Sequence, residues 1–146
     1  SVESAAAIRE RLFDRVEVTP AGVRDVEEST LRDVGLSEQK TEYVRNVAAA
    51  FDERDLTRDG LATESDEAVI DALTEIRGVG VWTAKMYLSY VLGRPDVFPV
   101  EDLGVRKAMA ELYGYDDGDR DGMTAHAERW RPYRSYASRY LWRVVD

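Results

Sequence analysis

Leu73-Thr74-Glu75-Ile76-Arg77-Gly78-Val79-Gly80-Val81-Trp82-Thr83-Ala84 sets two glycines one residue apart between two apolar stretches of helical spacing. Before it, Val69, Ile70, Leu73 and Ile76 fall on one side of a helix that starts near Asp66. After it, a second helix is expected from Val81 to about Leu92. Glycine accepts positive φ and lets another backbone come close, so the junction reads as a tight hairpin between helices. Two roles are open to it. Gly78 can end one helix and the next can simply begin. Alternatively, the amides of Gly78, Gly80 and Val81 turn outward as a nest that holds a phosphate oxygen without any basic side chain.

Outward from the hairpin the pattern stays helical. Ala5, Ile8, Leu12 and Val16 share a face of a first helix, and Thr19-Pro20 starts a short second one. Ser29 or Thr30 starts another short turn ending at Gly35. Ser37 caps a longer helix lined by Tyr43, Val44, Val47, Ala48 and Phe51. Residues 54–64 and 93–101 read as loops, a helix follows from about Asp102 to Tyr113, and 114–122 reads as a flexible acidic loop. Thr124 caps a short helix, and Pro132 precedes a last one. No stretch alternates with period two for long enough to make a strand. The expected fold is all-α, an orthogonal array of about eight helices in two lobes with a cleft between them. It forms a single domain over residues 1–146, in which 1–16 and 123–146 complete one lobe and 17–113 form the other.

Two further segments can carry chemistry. In Asp96-Val97-Phe98-Pro99-Val100-Glu101-Asp102-Leu103-Gly104 a carboxylate follows an apolar stretch at a helix start. Asp102 can be the N-cap, or an ionised carboxylate beside a pocket that the helix dipole keeps charged, and the two are compatible. In residues 129–143 arginines interleave with Trp130, Tyr133, Tyr136, Tyr140 and Trp142. That is either a stacking surface for nucleic acid or a closing helix whose arginines neutralise carboxylates, with Tyr136, Ala137, Tyr140 and Leu141 at core spacing.

Composition sets limits. The 146 residues are 44% hydrophobic, enough to bury a core. Cysteine is absent, which excludes disulfides, thiolate nucleophiles and cysteine-ligated zinc or iron–sulfur centres. A single histidine, His126, argues against a histidine triad or multi-histidine metal site. No apolar run reaches the ~18–20 residues of a membrane span, and no signal peptide opens the chain, so a cytoplasmic protein without a membrane partner is expected. Net charge is −9, and only Lys40, Lys85 and Lys107 are lysines among 20 basic residues. Such a surface suits a high-salt cytosol, although GC-rich coding bias gives the same arginine excess. Alone, −9 argues against nucleic acid, but residues 123–146 carry +3.

Taken together, these segments resemble DNA glycosylases of the helix-hairpin-helix (HhH-GPD) superfamily, in the 3-methyladenine DNA glycosylase II (AlkA-type) branch. The hairpin is similar to that branch's Gly-hydrophobe-Gly-x-Trp-Thr-Ala. Phe98-Pro99-Val100-Glu101-Asp102-Leu103 is similar to its catalytic loop, and Trp130-Arg131-Pro132-Tyr133-Arg134-Ser135-Tyr136-Ala137 to its C-terminal signature. Leu31-Arg32-Asp33-Val34-Gly35-Leu36-Ser37-Glu38-Gln39-Lys40 also fits. The resemblance implies base excision repair by hydrolysis of the N-glycosidic bond of alkylated purines such as 3-methyladenine, in double-stranded DNA containing damaged bases, by a monomer. Asp102 then matches the catalytic aspartate, Trp82, Trp142 and Met86 the base pocket, and Arg77, Gly78, Val79, Gly80, Val81, Thr83 and Lys85 the DNA contacts. No cofactor is implied, although the superfamily's hairpin holds a monovalent cation through backbone carbonyls at positions matching Thr74, Ile76 and Val79. Bifunctional members carry a lysine directly before Thr-Ala. Trp82 stands there, so a monofunctional hydrolase without lyase activity is expected. Relatives begin with a further helix and a glutamine-bearing turn that wedges into the DNA stack, and the chain from Ser1 is expected to lack both. Two other readings stay open: a non-catalytic DNA-binding module, and a glycosylase for deaminated or oxidised bases.

Overall fold

Most helix starts in this protein are set by short side chains that accept the first free amides. In the computed structural model, which describes residues 1–146, nine α-helices and no strands are present. Helix α1 (Val2–Arg15) is capped by Ser1, and α2 (Pro20–Asp25) by Thr19, whose hydroxyl accepts from the Gly22 N–H with Pro20 in the first turn. Helix α3 (Glu28–Asp33) begins a residue before the expected Ser29. Ser37 caps α4 (Glu38–Glu53) as its sequence indicates. Helix α5 spans Asp66–Thr74, and the cap is Ser65, whose Oγ accepts from Ala68 at 3.1 Å.

Helix α6 (Val81–Met86) starts at Gly80 and runs into a π turn, Tyr87–Val91, closed by the Leu92 N–H donating to the Tyr87 carbonyl at 3.0 Å. Helix α7 is Leu103–Tyr113, with Asp102 as N-cap and Gly114 left-handed at its end. Helix α8 (Arg120–Ala127) corrects the reading of 114–122. Asp119, not Thr124, is the cap, accepting from Gly122 at 2.9 Å, and the helix takes in the last three residues of the expected loop. A 3₁₀ turn, Glu128–Trp130, leads to α9 (Arg134–Val145).

The chain forms two compact units, residues 1–63 with 74–79 and residues 64–73 with 80–146. This differs from the grouping of 1–16 with 123–146. Helix α1 belongs with the first unit because Val16 packs among Val23, Leu31 and Ala48, and Arg11 donates to the Val34 carbonyl at 3.0 Å. In that unit α2 and α3 pack on α4. The second unit closes on Phe98, Val100, Val105, Met109, Met123 and Leu141, with α7 against α8 and α9. There Ser135 ties the loop before Phe98 to α9, since its hydroxyl donates to the Arg94 carbonyl at 2.7 Å and accepts from the Val97 N–H at 2.9 Å. Asp96 completes the clasp with Arg134, Nε to Oδ1 at 2.8 Å. The start of the loop that leads to Asp102 is therefore tied to α9.

Candidate active site

Buried Phe98 and Val100 anchor the approach to Asp102, and the Asp102 N–H donates to the Pro99 carbonyl at 2.9 Å. Its carboxylate then meets three elements of the second unit. As N-cap of α7, Oδ2 accepts from the Val105 N–H at 2.9 Å. From α9, Trp142 Nε1 donates to the same oxygen at 2.7 Å. From α6, Trp82 Nε1 donates to Oδ1 at 2.8 Å. The cap of α7 and the carboxylate held by the two indoles are thus one side chain. Trp82 is 47% exposed while Trp142 is half-buried, so the carboxylate stands at an open edge of this unit.

Burial is the largest single influence on the Asp102 carboxyl and opposes its ionisation. The N–H donors of Trp142, Trp82, Val105 and Gly104 outweigh it together and hold the pKa below the ordinary carboxylate range. The product is a fixed anion whose lone pairs face N–H groups. Such a group is poorly suited to donate a proton at neutral pH. It is well suited to stabilise positive charge that develops nearby, because its orientation is set before the reaction.

Gly104 and Tyr90 join the site, though the sequence did not single them out. A Cβ at Gly104 would lie 3.0 Å from Trp142 Cδ1 and 3.1 Å from Asp102 Oδ2, so glycine is what lets the indole come against the first turn of α7. Tyr90 stacks on Trp142 with ring centroids 6.0 Å apart. The only local signal for Gly104 was its place two residues after the aspartate, and for Tyr90 its place two turns beyond Trp82.

The other expected site residues divide. Met86, the last residue of α6, is half-buried. Val81 and Thr83 are exposed at the start of α6, and Gly80 has open space where a Cβ would stand. Gly78, at φ 104°, lies against the Tyr43 ring, and the neighbouring Arg77 carbonyl accepts from Asn46 Nδ2 at 3.1 Å. Arg77 itself lies 3.7 Å from Glu42. Val79 donates to the Ile76 carbonyl at 3.0 Å, and Thr74 ends α5. Lys85 corrects an expectation. It is only 18% exposed, lies 2.7 Å from Glu101 and donates to the Phe98 carbonyl at 3.0 Å. Its ammonium braces the loop before Asp102 and is not presented as a phosphate contact.

The chain thus carries a glycine hairpin and an aspartate held by two tryptophans on an all-helical fold, and comparison with known proteins gives its family. Residues 1–132 match the HhH-GPD superfamily base excision DNA repair protein family, and the chain belongs to that family. YfjP of Bacillus subtilis (strain 168) is 36% identical over 128 residues, covering 87% of this chain and 45% of that protein. The crystal structure of DNA-3-methyladenine glycosidase from Bacillus halodurans matches with a TM-score of 0.85 at 35% identity, covering 98% of this chain and 68% of its own. Schizosaccharomyces pombe 3-methyladenine DNA glycosylase Mag1, in complex with abasic DNA, matches with a TM-score of 0.85 at 31% identity, covering 94% and 70%. The chain spans about half the length of the curated relatives it matches. No helix is long and apolar enough to cross a membrane.

Proposed function

We propose that this chain carries the base-excising site of a monofunctional DNA glycosylase that hydrolyses the N-glycosidic bond of alkylated purines such as 3-methyladenine. The observation that carries this reading is the Asp102 carboxylate, kept ionised between two indole N–H groups and the amides of a helix start. Loss of the base leaves an oxocarbenium-like sugar, and a fixed carboxylate stabilises that charge or orients the attacking water. An alkylated purine already carries positive charge and departs without a strong general acid, which suits a site built around an ionised aspartate. The target base must leave the stack to reach it. The faces of Trp82 and Trp142 then favour a cationic base by about 0.5–2 kcal/mol.

Double-stranded DNA is the proposed partner. The amides of Gly78, Gly80 and Val81, flanked by Arg77 and Thr83, grip one phosphate, and the relative Mag1 was captured on abasic DNA. Carbonyls of Thr74, Ile76 and Val79 are the hard oxygen donors a monovalent cation takes, and that of Ile76 keeps a lone pair after accepting from Val79. The absence of lyase chemistry rests on Trp82 in the position of a Schiff-base lysine and on the commitment of Lys85 to Glu101.

The test is release of free base from methylated duplex DNA, run beside duplexes carrying deaminated or oxidised bases. Release of 3-methyladenine with no borohydride-trapped adduct supports the reading. Tight binding with no release would make the chain a non-catalytic DNA-binding module. Release confined to deaminated or oxidised bases would move the substrate class, and a trapped adduct would overturn the monofunctional mechanism.

A further inference from the structure

Trp142 can hold its N–H on Asp102 only while its ring plane is fixed. One edge is fixed by Gly104, since a Cβ there would stand 3.0 Å from Cδ1 and 3.4 Å from Nε1. One face is covered by Tyr90, whose ring lies 6.0 Å away, centroid to centroid, and is inclined by 23°. That is an offset stack, a geometry worth more than the area it buries. Tyr90 is itself 52% exposed, so the core does not hold it. Arg139 holds it from α9, with its guanidinium 5.3 Å from the Tyr90 ring centre and 5.6 Å from that of Tyr136. The π turn Tyr87–Val91 carries Tyr90, and such turns are frequent at functional sites.

We propose that Tyr90 is a positioning residue for this site: its ring, clamped by Arg139, is the buttress that keeps the Trp142 indole N–H on Asp102 Oδ2. Its consequence for catalysis rests on Asp102 being the reacting carboxylate, but the positioning itself does not. The role belongs to the ring face and not to the hydroxyl. A ring without the hydroxyl should therefore serve, and an aliphatic side chain should not. With the buttress gone, the indole turns about its side-chain torsions, Oδ2 loses the most influential of its donors, and the burial that opposes ionisation acts with less to offset it. The charged groups beside Asp102 do not take over. Lys85 is paired with Glu101, and Arg106 is bound to the carbonyls of Val100 and Glu101.

The experiment follows the Asp102 ¹³Cγ resonance and the Trp142 indole ¹⁵N–H in the full chain, in the parent, Tyr90→Phe, Tyr90→Ala and Arg139→Gln. Tyr90→Phe should match the parent. Tyr90→Ala should raise the Asp102 midpoint by about half a unit to one unit and speed exchange of the indole proton. Arg139→Gln, at an exposed position, should move both in the same direction by less, and decides the matter if Tyr90→Ala does not fold. Unchanged midpoint and exchange in the folded variants would overturn the proposal, as would an equal shift in Tyr90→Phe. Base release measured on the same samples separates the two readings. A shifted midpoint in a parent that releases no base leaves the buttress standing and removes the glycosylase. An active parent whose variants keep the Asp102 midpoint does the reverse.

Discussion

Two indole N–H groups and a helix start determine what Asp102 can do. Because its pKa is depressed, the carboxylate's favourable contribution is complete above the unfolded value of about 3.9 and is lost as pH falls through the lower folded value. The acid limb of base release should therefore lie below the range of an ordinary aspartate. A limb near pH 5 in single-turnover rates would contradict that. Gly104→Ala should push the Trp142 ring away, weaken its bond to Oδ2 and move this limb upward, read in the same pH profile. The sequence made Asp102 legible because an N-cap is a local pattern, and the resemblance supplied its tryptophans. Tyr90 and Gly104 were not legible, because a ring stack between the π turn and α9 leaves no periodicity in the chain.

At the scale of elements, the Asp96–Arg134 clasp and the hairpin make separate claims. Asp96 accepts from Arg134 Nε at 2.8 Å and from its backbone N–H at 3.2 Å, and the guanidinium is only 12% exposed. Arg134→Ala would leave a largely buried carboxylate with only the exposed Arg131 as its ion-pair partner, and a loss of about 1–3 kcal/mol is expected from urea unfolding. The exposed Arg24–Asp52 pair should give no measurable change when broken, since solvent screens it. In the hairpin, Gly78→Ala must adopt φ 104° and meet the Tyr43 ring, so it should destabilise the fold. Gly80 has extended backbone and open space, so Gly80→Asp should fold normally yet weaken binding to all duplex sequences alike, measured by fluorescence anisotropy. Undiminished affinity would remove the phosphate role. The starts at Thr19 and Ser37 were legible because these residues act on their own first turns. The start of α8 was not, because Asp119 sits among acidic neighbours that read as loop, and only its bond to Gly122 sets it apart.

For the whole molecule, charge and burial set the response to solvent. A net charge of −9 repels itself, and salt shortens the reach of that repulsion to ~3 Å at 1 M. The melting temperature should climb as KCl is raised from low to molar concentration, and a fall would remove the salt-adapted reading. His126 is held below its ordinary pKa by burial and, less strongly, by the charge of Arg129. The stability tied to its neutral form is complete above about pH 6.5 and declines as acid protonates the unfolded state and then the folded one. The helical class was legible across the chain because helical periodicity and caps recur throughout. The division into units was not, since the place of α1 depends on Val16 and Arg11 meeting residues distant in sequence.

The central claim is that an Asp102 ionised at neutral pH stabilises the sugar as the damaged base leaves. It is tested most directly by single-turnover release of 3-methyladenine from methylated duplex by the parent and by Asp102→Asn, a near-isosteric change that keeps an oxygen for the helix cap. The account predicts a fall of about 10²-fold or more in the release rate, with duplex affinity near that of the parent. Equal rates in the two proteins would contradict it.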